Sequence, residues 1–352
     1  MFKSNISALL LALYRHELLL TIGIFGVAQM LADMLADLEQ GAVAAFIRGI
    51  GVLLIVVLLI SSLSRRSQAL QVPIVFTEAE KREDARAELK QFETHTRTER
   101  TVKILDTSSP VREEELYIQL REASELRKAN NLALWPNALT QLVREWDEEV
   151  DERLKRWITG QYRGVVYHIS PNVVLPAAFY LGASVGLRRN LKIYQRDPDS
   201  YRLAIDLSDN PRRILEPPES EVEGIVQIPD EKELPDTRGE RLILHLLIGR
   251  HPPNFEAHPD HAQADSVAFY YKQSLPANAE WLPYAQAFVQ KAKPWIDRYQ
   301  QVDLCLAMPH SIAMALGMAF SRSPHIRICH WHAGVYKPAA ELRWIEQRLP
   351  FD

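Results

Sequence analysis

The sequence predicts an α/β protein built from two related halves, with a pair of apolar helices ahead of them. Three observations carry that expectation. The first 66 residues hold two long apolar stretches that the rest of the chain lacks. Strand-like and helix-like segments then alternate from about residue 100 onward, the pattern of a mostly parallel sheet covered by helices. One segment of the first half also matches one of the second without a gap. The chain has 352 residues, 47% hydrophobic and 24% charged, enough for more than one buried core. Its net charge of −4 argues against a broad surface for duplex nucleic acid and leaves room for a pocket that takes a few phosphates. The two cysteines, Cys305 and Cys329, cannot build a disulfide framework and are expected as reduced, buried thiols.

Leu18 to Leu35 reads LLLTIGIFGVAQMLADML, and its only charge is Asp33. Gly41 to Leu63 reads GAVAAFIRGIGVLLIVVLLISSL, and its only charge is Arg48. Each is near the ~20 residues that cross a bilayer core. Only Ala36 to Gln40 join them, so residues 1–66 are expected to form a transmembrane hairpin with spans at about 18–36 and 42–63. A secretory signal peptide fits poorly, because two spans follow one another without a clear cleavage site. A helical pair buried in a soluble domain is disfavoured by the long apolar run from Ile50 to Leu63. Lys3 and Arg15 precede the spans and Arg65 and Arg66 follow them, while the connection holds Asp37 and Glu39. Both termini are therefore expected in the cytoplasm. An ionisable group in hydrocarbon costs about 2.5–3.5 kcal/mol on insertion scales. Asp33 and Arg48 pair within the hairpin, or Arg48 snorkels toward the interface, or the two face each other between protomers and help line a pore.

Residues 67–99 read as a charged helical connector. Thr77 to Thr94 (TEAEKREDARAELKQFET) mixes both charge signs with few apolar positions. Arg100–Leu105 is expected as a strand, and Pro110 as the first position of a helix with acidic residues at its start. Leu139, Leu142, Val143, Trp146, Val150, Leu154 and Trp157 recur at spacings of mostly three and four, one helix face. Gly164–Ile169 is a buried strand, Pro176–Leu187 a small-residue helix and Leu191–Gln195 a strand. In the second half the strands are Arg241–Ile248, Val302–Ala307 and Ile326–Cys329. Its helices run from Leu282 to Tyr299 and from Ser311 to Phe320.

The repeat places Ala177–Tyr201 over Ile312–Tyr336. Leu181 meets Leu316, Gly182 meets Gly317, Ile193 meets Ile328 and Tyr201 meets Tyr336. Just upstream, His168-Ile169-Ser170-Pro171 is matched to Leu306-Ala307-Met308-Pro309 with an offset of three residues. A boundary rich in Pro and acid falls near residues 216–238, giving halves at 100–225 and 226–352.

This duplicated strand–helix–strand unit, with A-x-x-L-G in each helix and a Tyr after each second strand, resembles a SAVED domain over roughly residues 100–352. Such a domain fuses two CARF-like, Rossmann-type halves. The hairpin is similar to that of two-span membrane SAVED effectors of bacterial CBASS anti-phage systems. The resemblance implies a cyclic oligonucleotide ligand, tri- or tetranucleotide, and homo-oligomerisation on binding. It further implies an effector in the bacterial inner membrane whose clustered hairpins disrupt the bilayer and cause growth arrest or cell death. No cofactor and no catalytic residue is expected. The competing readings are a membrane-anchored nuclease that degrades the messenger, a CRISPR type III-associated membrane effector sensing cyclic oligoadenylate, and a passive nucleotide-binding scaffold.

Open α/β sheets bind ligands beyond the carboxyl ends of their strands. The residues expected there are Ser108, Ser109, Ser170, Asn172 and Arg196 in the first half, and Arg250, His251, His310, Ser311, Trp331 and Tyr336 in the second. Helix N-termini near Ser109, Asn172 and Ser311 offer N–H groups to phosphate. Arg196 and Arg250 bring positive charge, and Trp331 and Tyr336 bring faces for bases at about 1–3 kcal/mol each. Each also has a structural role open to it: Ser109 and His310 as caps, Arg196 as a partner of Asp197 or Asp199, the aromatics as core. No Walker loop, G-x-G-x-x-G or G-x-S-x-G is present. His251, His258 and His261 cluster among prolines without helical spacing, and no metal is expected.

Overall fold

The computed structural model describes residues 69–99, 109–121, 123–127, 133–158, 162–229 and 240–345, with a few isolated positions before residue 51. The two expected spans lie almost wholly outside the described residues, as do Arg48, Ser108 and the strand expected at Arg100–Leu105. Asp33 is described, as an exposed helical residue. No helix among the described residues is long and apolar enough to cross a membrane. The chain divides into two units. The smaller comprises Met1–Leu70 and Lys155–Val165; in it the Leu70 N–H donates to the Gly164 carbonyl at 2.8 Å. The larger, Gln71–Leu154 with Val166–Asp352, carries two sheets and their helices.

The first sheet has the order β2-β1-β3-β4-β5, with β1 Leu70–Thr77, β2 Tyr117–Gln119, β3 Val165–Asn172, β4 Asn190–Arg196 and β5 Tyr201–Leu207. β1 runs parallel to β2 and β3 to β4, and β5 returns antiparallel. This corrects the connector expected at residues 67–99. Its first part is β1, in which Val72, Ile74, Val75 and Phe76 are wholly buried, as strands covered on both faces are. Its second part is helix α1 (Arg82–Glu99). Ala85, Leu89 and Phe92 of α1 fall on one face and are buried, and Phe92 packs on Tyr194 and Tyr201 at 5.1 and 4.9 Å. No helix starts at Pro110. Ser109 accepts the Val111 N–H at 3.2 Å, and a single 3-10 turn at Glu113–Glu115 leads into β2. Helix α2 (Leu134–Arg144) passes through a π-type turn at Glu145–Asp151 into a helical segment, Glu152–Ile158. It buries Trp135, Leu139, Leu142, Trp146 and Val150. Helix α3 is Leu175–Val185.

The second sheet has the order β11-β10-β9-β7-β8-β6. Its strands are β6 Ile225–Ile228, β7 Arg241–Ile248, β8 Asp265–Tyr271, β9 Gln301–Ala307, β10 Ile326–His332 and β11 Val335–Glu341. Helices α4 (Leu282–Ile296) and α5 (His310–Ala319) complete it. Read from β8 inward the order repeats that of the first sheet, with β6 added antiparallel at the edge.

The duplication extends to irregularities. The β4·β5 ladder slips between Ile193 and Tyr194, and the β10·β11 ladder slips between Ile328 and Cys329, the same place in the gap-free match. Strand pairing also fixes what lies upstream. His168 stands opposite Lys192, and Asp303 opposite Arg327. The gap-free match therefore continues through the preceding strand, and the offset of three residues around Pro171 and Pro309 is corrected. Pro309 is the residue before α5, as Val174 is before α3.

The paired glycines have a packing reason. A Cβ on Gly182 would sit closer than 3.0 Å to the Met314 carbonyl, and a Cβ on Gly317 equally close to the Phe179 carbonyl. Phe179 and Met314 are themselves matched positions, so α3 and α5 cross about a local twofold with each glycine under the other helix's backbone.

Candidate functional site

The carboxyl ends of β1, β3 and β4 surround a cavity of about 240 Å³. Glu78, Pro171, Asn172, Val173, Tyr194, Gln195 and Arg196 line it from the first half, and His310, the first residue of α5, lines it from the second. The Gly182–Gly317 crossing brings the start of α5 to this place.

A hydrogen-bonded chain organises the wall. The buried Ser170 hydroxyl donates to Asn172 Oδ1 at 2.8 Å. Asn172 Nδ2 donates to Glu88 Oε2 and the Tyr201 hydroxyl, both at 3.4 Å. Arg196 Nη1 donates to Glu88 Oε1 at 2.5 Å. Glu88 of α1 thus holds both the amide and the guanidinium. Burial raises the Tyr201 phenol, against the smaller opposing pull of Arg196 and the Asn172 hydrogen bond. Gln195 Oε1 accepts from the Ser311 hydroxyl at 3.0 Å and from the Ser311 N–H at 3.4 Å. One N-terminal donor of α5 is therefore taken by the first half. The wall offers amides, hydroxyls, an imidazole and one guanidinium against two carboxylates. An anion that enters must compete with Glu88 for Arg196.

Asn172, Arg196 and His310 meet at the cavity, with Ser170 and Ser311 one hydrogen bond behind them. The other expected residues that the structure describes do not line it. Ser109 lies in its own short turn, which removes the helix N-terminus expected there. Arg250 and His251 are exposed beyond β7, after Gly249 at φ +120°. Trp331, 46% exposed, meets Tyr336 edge-on at 4.8 Å near the tip of the β10–β11 hairpin. Tyr336 is core rather than a stacking face: it is buried with Ile243, Ala257, Cys305 and Cys329, and its phenol is raised first by that burial. Arg196 pairs with Glu88 instead of Asp197 or Asp199; Asp197 meets Arg202 at 3.4 Å. Sequence reasoning missed Glu78 and Glu88. The Ala85–Leu89–Phe92 spacing was the available sign that α1 docks on the sheet and turns Glu88 inward.

No family model matches the chain, and no curated protein matches it. Among solved structures it is similar to the Acinetobacter baumannii Cap4 SAVED/CARF-domain containing receptor with the cyclic trinucleotide 2'3'3'-cAAA. The identity is 13%, the TM-score 0.47, and the match covers 78% of this chain and 52% of that one. It is similar to the same receptor with 3'3'3'-cAAA at 12% identity and a TM-score of 0.45, with the same coverage. It is also similar to the Moraxella osloensis Cap4 SAVED/CARF-domain containing receptor at 13% identity and a TM-score of 0.43, covering 78% of this chain and 50% of that one. The chain spans about half the length of these solved structures.

Proposed function

We propose that this chain is a SAVED-type cyclic-oligonucleotide sensor whose N-terminal hairpin is a membrane effector, acting in a CBASS-type anti-phage response. The observation that carries the reading is the crevice itself. Asn172, Gln195 and Arg196 at strand ends of one half face His310 and Ser311 at a helix start of its duplicate. A ligand seated there touches both halves and so reports on their junction.

The cavity is smaller than the roughly 300–1,000 Å³ of a drug-sized ligand pocket. It takes one phosphate or base, and the rest of a tri- or tetranucleotide ring lies across the open rim. Arg196 meets a phosphate once Glu88 is displaced, while Asn172 and Gln195 read base or ribose edges. The role is binding, without chemistry on the ligand. Ligand shifts the sensor toward an assembling state only by its greater affinity for that state. Assembly gathers hairpins in one patch of inner membrane. A single two-span hairpin encloses no water path, so leakage needs many.

The test is to purify the full chain in detergent and follow its size while adding cyclic di-, tri- and tetranucleotides, the adenine trinucleotide first. Growth of the assembly with one ring, and leakage of dye-loaded liposomes carrying the protein with the same ring, are expected. No change in size with any ring counts against the assembly step. Recovery of a linearised ring would instead favour the nuclease reading.

A further inference from the structure

The second half holds a cluster that the crevice does not use. Cys305 and Cys329 are direct partners across the parallel β9·β10 pair, and both are buried. His258, wholly buried in the segment between β7 and β8, points its Nε2 at them. Nε2 lies 3.8 Å from Cys329 Sγ and 3.5 Å from Asp303 Oδ2. The ligand atoms of His258, Cys305 and Cys329 all fall within 4.8 Å of one another. We propose that His258, Cys305 and Cys329 form a structural zinc site, with Asp303 as the carboxylate nearest to His258, independent of the ligand-sensing role.

Three arguments support it. The first is geometry. Tetrahedral zinc with bonds of about 2.3 Å to sulfur and 2.0–2.2 Å to nitrogen or oxygen sets its ligand atoms roughly 3.3–3.8 Å apart. The separations around Nε2 match those edges and are long for hydrogen bonds.

The second argument is charge. Asp303 accepts from Arg241 and from Arg327, and Arg241 also pairs with Asp260 at 2.5 Å. Two carboxylates and two guanidiniums already balance. Zinc enters as a 2+ ion while the two thiols leave two protons to solvent, so the net charge of the buried cluster does not change. The fourth position falls to Asp303 Oδ2 only once Arg241 and Arg327 both release it. The Asp260 N–H donates to His258 Nδ1 at 3.2 Å. On metal binding the imidazole proton moves from Nε2 to Nδ1, and the Asp260 N–H must turn away.

The third argument is the duplicate. At the matched positions the first half carries His168 for Asp303, Ser170 for Cys305 and Tyr194 for Cys329. There the groups close directly, with His168 Nδ1 and the Tyr194 hydroxyl 2.9 Å apart. The second half replaces this contact with two thiols and a carboxylate around His258.

The experiment is metal analysis of the full chain purified with added zinc, followed by refolding with Co²⁺. One zinc per chain is expected, released only on unfolding with chelator, and Co²⁺ should give intense thiolate-to-metal charge-transfer bands. The chain has two cysteines in all, so such bands can arise only from Cys305 and Cys329. A folded wild-type chain with no stoichiometric zinc and no such bands would overturn the proposal. So would zinc retained in full by the folded double variant Cys305→Ser/Cys329→Ser.

Discussion

Glu88 sets the resting state of the crevice. Its carboxylate takes the Arg196 guanidinium at 2.5 Å and lies within reach of Asn172 Nδ2. The Arg196 side chain is 40% exposed, so this ion pair has the strength of a surface pair, about 0.2–1 kcal/mol. Glu88→Gln frees the guanidinium for a ligand phosphate and should tighten cyclic-nucleotide binding about two- to fivefold, measured by titration calorimetry. Weaker binding by this variant would place Glu88 among the ligand's partners instead. His168 gives a pH signature at the same scale. Burial foremost, then the Lys192 charge, lowers its pKa from 6.5 to about 4. The native state keeps it neutral while the unfolded chain binds a proton below about pH 6.5. Its contribution is therefore complete above that pH and is lost as pH falls toward 4, by roughly 3 kcal/mol. The unfolding midpoint should drop across this window in the wild type and less in His168→Gln; equal slopes would contradict the assignment.

Among the elements, α3 and α5 decide whether the halves meet correctly. Gly182→Ala or Gly317→Ala drives a methyl into the facing backbone carbonyl, which flexible side chains cannot relieve. Each should cost about 1–3 kcal/mol or more, read as a lower thermal midpoint. Gly164→Ala, with nothing within 4 Å of its new methyl, should leave the midpoint unchanged. The glycine match was legible in the sequence because a close helix crossing tolerates no other residue. Strands such as β7 and β9 were legible as apolar runs interrupted within only by His245 and Asp303. β1 was not: Pro73 interrupts its pattern and it follows close on an apolar span, so its place inside the sheet came from tertiary pairing. β5 (YRLAIDL) and β11 (VYKPAAE) interrupt their apolar residues with charges or proline, and the sequence reading places no strand there.

Among the described residues, the larger unit holds two matched sheets whose helices α3 and α5 cross at two glycines, and a crevice there draws on both halves. Asn172, Arg196 and His310 line one cavity because strand ends and a helix start converge there. Tyr336 is core, buried with Ile243, Cys305 and Cys329, and a tyrosine after a strand has the same local sequence whether it faces ligand or core. Glu88 lies 108 residues from Arg196, and no spacing rule reaches that far. The most direct measurement is equilibrium binding of the cyclic adenine trinucleotide to the full chain, beside Asn172→Ala/Arg196→Ala. The crevice account predicts saturable binding by the wild type and a loss of at least tenfold in the double variant with an unchanged unfolding midpoint. Equal affinity of the two proteins would contradict it.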